Sequence, residues 1–152
     1  MSYSEKARTL FKQGYNCSQA VLLAFSDVTG LDDRTALMLS SSFGGGMGRL
    51  REVCGAVSGM FMVIGILCGY DDPADHAGKS AHYARLQQLA AQFREKNGSI
   101  ICRDLLGLGS GADHPVPEQR TEAYYKKRPC ADMVADAAEI TEQYLREIGK
   151  LP

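Results

Sequence analysis

The chain has 152 residues, 45% of them hydrophobic, with 17 basic and 18 acidic residues and a formal net charge of −1 at pH 7. That length supports one core burying roughly two thirds of the unfolded surface without help from a disulfide or a metal, and the balanced charge offers no footprint for a phosphate backbone, which argues against nucleic acid as a partner. The opening stretch MSYSEKARTLFKQG carries Glu5, Lys6 and Arg8 where a secretory leader needs an apolar run, so the expectation is a cytoplasmic protein whose cysteines sit in a reducing compartment.

Taken in chain order, the pattern is helical with almost no strand signal. Ser4 can cap a first helix with Ala7, Leu10 and Phe11 at helical spacing, and Gly14 should end it. Asn16 caps a second. Cys17, Ala20, Val21, Ala24 and Phe25 form its apolar stripe. Gly30 stops that helix and Asp32 can cap a short one through Leu39. The run FGGGMG, Phe43 to Gly48, is too rich in glycine for a helix and reads as a loop that needs positive φ or a close approach.

The segment from Val53 to Cys68 is hydrophobic almost all round, as a helix tolerates only when buried on every side or set in lipid. A span needs about 20 apolar residues, whereas this stretch is shorter, contains Gly55, Ser58, Gly59 and Gly65, and runs into Asp71 and Asp72. A central buried helix is expected, not a membrane-embedded one. Gly55 and Gly59 form a small-x-x-x-small pair that would admit a second backbone.

A long amphipathic helix follows from about Asp75 to Lys96, with Leu86, Leu89, Ala90 and Phe93 as its stripe and Asn97-Gly98 as its stop. Ser99 can cap the short piece IICRDLLG. The stretch LGLGSGADHPVPEQ is a loop. Two more helices close the chain, one from about Glu118 to Lys127 and the last opening at Pro129, which suits a first turn. The expectation is an all-α, single-domain helical bundle over residues 1–152, with about six or seven helices around the buried apolar one.

The five cysteines fall on this map in a pattern. Cys17, Cys54, Cys102 and Cys130 all lie at helix starts, where free N–H groups and the positive end of the helix dipole favour a thiolate. Cys68 lies at a carboxyl end and should stay a protonated, packing residue. No C-x-x-C pair occurs, so local zinc-ribbon or ferredoxin spacing is absent. If the four thiols act together, the fold must gather four helix starts. Each one alone is more often core than ligand.

Cys17 in YNCSQAVL, the glycine run before CGAVSG at Cys54 to Gly59, Cys102 in CRDLLG and Cys130 before ADMVADAA resemble the family of redox-active proteins named for the pattern C_GCAxxG_C_C. The likeness covers nearly the whole chain. It carries the four motif cysteines onto Cys17, Cys54, Cys102 and Cys130, and matches none to Cys68. It implies redox chemistry, a bacterial source, loci shared with transporter genes and a related domain in split-Soret cytochromes. No substrate or redox partner is implied.

Two functions follow as expectations. In one, pairs among the four cysteines cycle between dithiol and disulfide, with Cys54 as nucleophile. In the other, the same four hold zinc or an iron–sulfur cluster for electron transfer, with Gly45, Gly46 and Gly55 leaving room for the cofactor beside Cys54. A helical interaction protein with merely packed cysteines is the bland alternative. A homodimer and a transporter-linked redox partner are carried as partner candidates.

Other features read as structural. Asp71, Asp72, Asp75 and His76 could hold a divalent ion but fit a solvated turn and cap better. His82 and His114 read as a helix face and a loop residue. Lys126, Lys127 and Arg128 read as a solvated helix end. The glycine loop lacks the G-K-[ST] ending of a P-loop.

Overall fold

A computed structural model describes residues 1–109 and 111–152, apart from the Lys127 side chain. Ser110, inside the expected 106–119 loop, lies outside the described residues. The helical segments are α1 (Tyr3–Lys12), α2 (Cys17–Ala24), α3 (Ser26–Thr29), α4 (Asp33–Ser40), α5 (Gly44–Met47), α6 (Gly55–Cys68), α7 (His76–Asn97), α8 (Cys102–Leu106), α9 (Glu122–Lys127) and α10 (Cys130–Glu147). Seven of these have six or more residues, among the described residues, α3 and α8 are single turns, and α5 is a turn of the glycine loop whose Gly45 and Gly46 are not helical. The fold is all-α.

Local chemistry explains most boundaries. Asn16 caps α2 with a reciprocal pair of bonds: its side chain accepts from the Gln19 N–H, and Gln19 accepts from the Asn16 N–H. Asp32 caps α4 by accepting from the Thr35 N–H at 3.0 Å. Gly98 ends α7 in the left-handed conformation. Three expected starts move. Ser2, not Ser4, caps α1, because Glu5 three residues on completes its capping box. Ser99 accepts from the Ile101 N–H in a local turn instead of capping α8, whose N-cap is Ile101. The helix expected from Glu118 begins at Glu122, where the Thr121 hydroxyl accepts from the Tyr124 N–H.

Helix α10 packs along α1 and also meets α2, α6 and α7, and α2 packs on α6. Between them lies a core that includes Leu22, Phe25, Met60, Ile64, Leu89, Phe93 and Leu145, all fully buried. Each such side chain contributes about 1.5–3 kcal/mol relative to exposure. The glycine pair of α6 works as expected for close approach. A β-carbon at Gly59 would lie 2.8 Å from the Ser18 carbonyl oxygen on α2.

Helix α6 departs from expectation in one respect. It is not buried on every side: Gly55, Ala56, Val57, Gly59, Met60, Val63 and Ile64 face the core, whereas Phe61 and Met62 are half-buried and Ile66 is 41% exposed. A neighbour covers one face of a helix, and apolar residues on the other are common at protein surfaces. No helix among the described residues is long and apolar enough to cross a membrane.

Candidate functional site

The residues ahead of α6 and α8 pair with each other. Val53 and Ile101 form an isolated antiparallel bridge, the Cys54 N–H donates to the Ile100 carbonyl at 2.7 Å, and the Cys102 N–H donates to the Glu52 carbonyl at 2.6 Å. Cys54 and Cys102 are thereby held side by side although 47 positions of sequence lie between them. Val53 and Cys54 thus precede α6, with Cys54 as its N-cap instead of lying in its first turn.

The glycine loop closes against this bridge. Gly45 (φ 69°), Gly46 (φ 68°) and Gly48 (φ 61°) are left-handed, as the glycine run predicted, and Met47, Arg49 and Arg51 share that region without being glycine. The Glu52 N–H donates to the Gly46 carbonyl at 2.9 Å. A β-carbon at Gly46 would stand 2.6 Å from Cys102 Cβ. One at Gly55 would collide with Cys17 Sγ, so α2 and α6 can bring their starts together only with glycine there.

These contacts leave a cavity of about 310 Å³ lined by all four of Cys17, Cys54, Cys102 and Cys130, together with Arg49, Arg51, Arg120 and Arg128. Cys68 is not among its walls. Gly45 and Gly55 line it, whereas Gly46 backs Cys102 and does not. Cys54 and Cys102 are buried, and Cys17 and Cys130 are half-buried. All five cysteines are free thiols.

Burial overrides the helix-start effect at Cys17, Cys54 and Cys130. It pushes Cys54 well above the ordinary thiol range, with Cys17 adding to the rise, and the Ala56 N–H bonded to its sulfur opposes this only in part. Cys130 is raised to about 12 by burial and then by Cys17 and Cys102, against Arg128 and Arg120. Cys17 is raised by burial too, while the Gly45 N–H bonded to its sulfur lowers it. The direction at Cys54 is therefore opposite to the expected stabilised thiolate, since removing a charge from water outweighs a partial dipole charge. Cys68, raised by burial and lowered by Arg85 and Lys150, stays protonated as expected.

The arginines were missed as site residues. Arg51 is 5% exposed, and its Nη1 donates to Cys102 Sγ at 3.5 Å while its Nη2 donates to Asp113 at 3.0 Å. Arg49 donates to the same carboxylate at 3.1 Å, which holds Asp113 below the usual carboxylate range, Arg51 being the larger cause. Arg128 was expected in a solvated helix end, yet its side chain is 8% exposed and pairs with Glu118 at 2.5 Å. Arg120 lies 4.0 Å over the Phe11 ring and donates to the Phe11 and Tyr15 carbonyls. The signal available in sequence was proximity alone: Arg49 and Arg51 fall between the glycine run and Cys54, and Arg128 two residues before Cys130.

The remaining candidates stand apart. Asp75 caps α7 by accepting from the Gly78 N–H, and Asp72 accepts from the Ala74 N–H. His82 is buried on α7 with Arg85 Nη1 3.1 Å from its Nδ1, and that guanidinium also donates to the Cys68 carbonyl and the Tyr144 hydroxyl. His114 is exposed on its loop. Among the described residues no three His, Cys, Asp or Glu side chains converge on one point as a preformed ion site would require.

No curated protein and no solved structure shows significant similarity to the chain. The family's name writes its central motif Gly-Cys-Ala-x-x-Gly, and here the first two residues stand in the order Cys54-Gly55, ahead of Ala56 and Gly59. The family model described as "Putative redox-active protein (C_GCAxxG_C_C)" matches residues 15–144, a span that holds all four cavity cysteines, and the chain belongs to that family.

Proposed function

We propose that the protein works by thiol redox chemistry at its four-cysteine cavity, with pairs drawn from Cys17, Cys54, Cys102 and Cys130 cycling between dithiol and disulfide. The observation that carries this reading is the shared wall: four cysteines far apart in sequence line one cavity, and the fifth does not. In the forward step two thiols lose two protons and two electrons and form an S–S bond, and a partner's disulfide takes both and becomes a dithiol. Half-buried Cys17 and Cys130 offer the entry for that partner, and the Gly45 N–H on Cys17 and the Arg51 N–H on Cys102 supply donors that stabilise negative charge on sulfur as it develops.

A second reading, an iron–sulfur cluster, is favoured by the cavity that the four cysteines help to line and by the guanidiniums in the same lining, which would offset thiolate charge. Cys17, Cys54, Cys102 and Cys130 would hold it, and when bound it would supply one-electron transfer. A single zinc ion draws less support, since no three ligands converge among the described residues. Anaerobic purification, metal analysis and an ultraviolet-visible spectrum separate these. Colourless, metal-free protein that loses two or four titratable thiols on mild oxidation supports the relay, and stoichiometric iron with visible absorption replaces it by the cluster.

A further inference from the structure

The cavity is as rich in guanidinium groups as in thiols. Arg51 is nine-tenths buried or more, and its Nε is enclosed with no hydrogen-bond partner among the described residues. A guanidinium buried this far is costly unless negative charge lies near it. Among the described residues Arg49 and Arg51 share the carboxylate of Asp113, Arg128 pairs with Glu118 and Arg120 donates to two backbone carbonyls, so the guanidiniums around the cavity outnumber the carboxylates paired with them. Arg49 (φ 65°) and Arg51 (φ 61°) hold left-handed backbone that side chains seldom adopt, and strain of this kind concentrates at functional sites. The volume, about 310 Å³, lies at the lower end of the range for small-molecule sites, roughly 300–1,000 Å³.

We propose that this cavity binds a small inorganic oxyanion, held by the charges of Arg51 and Arg128 in its lining, and that the anion is an electron acceptor of the thiols. A guanidinium stays positively charged at any working pH and carries five N–H donors, which suits such an anion. The acceptor role rests on the dithiol reading above, whereas binding does not. Two thiols release two electrons and two protons and join as a disulfide. The central atom of the anion takes the electrons, and one of its oxygens leaves with both protons as water.

The test uses the reduced full-length chain under argon, with phosphate as an inert probe and arsenate as a reactive one of the same shape. Phosphate should bind with one site per chain, and Arg51→Gln and Arg128→Gln should each weaken it about tenfold or more. Circular dichroism and thermal melts establish that each variant is folded, and two variants on separate elements keep the test alive if one is not. Arsenate should yield arsenite with the loss of two thiols per ion. Absence of phosphate binding, or equal binding by both folded variants, overturns the anion site. Diamide is the separate control: disulfides formed with it but not with arsenate overturn the acceptor role alone, and disulfides formed with neither overturn the thiol-redox reading while phosphate still judges the site.

Discussion

Gly55 on α6 stands so close to Cys17 on α2 that a β-carbon on it would overlap the Cys17 sulfur and lie 2.8 Å from the Phe43 carbonyl oxygen. Backbone on one side and a cavity-lining thiol on the other leave little room for relief. Gly55→Ala should cost about 1–3 kcal/mol through overpacking and displace Cys17 from its place beside Cys54. Urea unfolding gives the first effect. A native thiol count showing Cys17 newly accessible gives the second, and wild-type stability with wild-type Cys17 protection would refute both.

Labelling order should follow burial. Cys54 is 6% exposed and its pKa is pushed well up by burial, whereas Cys68 is half-buried. In the reduced, metal-free protein at neutral pH, iodoacetamide should therefore modify Cys68 before Cys54, with Cys54 reacting mainly on unfolding. Timed labelling with peptide mass spectrometry reads the order, and early modification of Cys54 would show that the helix start wins after all.

Alkaline pH should weaken the metal-free fold. Cys130 rises from an ordinary thiol value of 9.0 to about 12 on folding, so between these values the native state binds more protons than the unfolded state and stability falls as pH rises. The contribution is fully present below the unfolded value. Urea melts across that window should show a decline that is shallower in Cys130→Ala; equal slopes would mean that Cys130 titrates normally.

The acid limb has the opposite sign. Asp113 is held below its ordinary value, chiefly by the hydrogen bond from Arg51, so its contribution is present above the unfolded carboxylate value and is lost as pH falls through the folded one. Asp113→Asn should lower stability at neutral pH and flatten the dependence below about pH 4. Parallel acid limbs in variant and wild type would remove Asp113 from this role.

Cys68→Ala should cost about 1 kcal/mol and leave the number of thiols oxidised by a mild oxidant unchanged. Cys68 sits at the end of α6, outside the cavity walls. Loss of redox behaviour in this variant would move the site.

The chain by itself determined what depends on near neighbours. Asn16, Asp32 and Gly98 announce helix ends because caps act over one turn, and the glycine run announces left-handed backbone because only glycine adopts it at little cost. The family could be read because its four cysteines and hexapeptide are themselves sequence. Tertiary structure decided the rest. That Cys54 and Cys102 meet depends on the Val53–Ile101 bridge, and that Arg51 faces Cys102 depends on a strained loop folded back on that bridge. The direction of the Cys54 pKa turned on burial, a property of the whole chain: a helix start announces itself locally, but the loss of water around a thiol is set by every element packed against it.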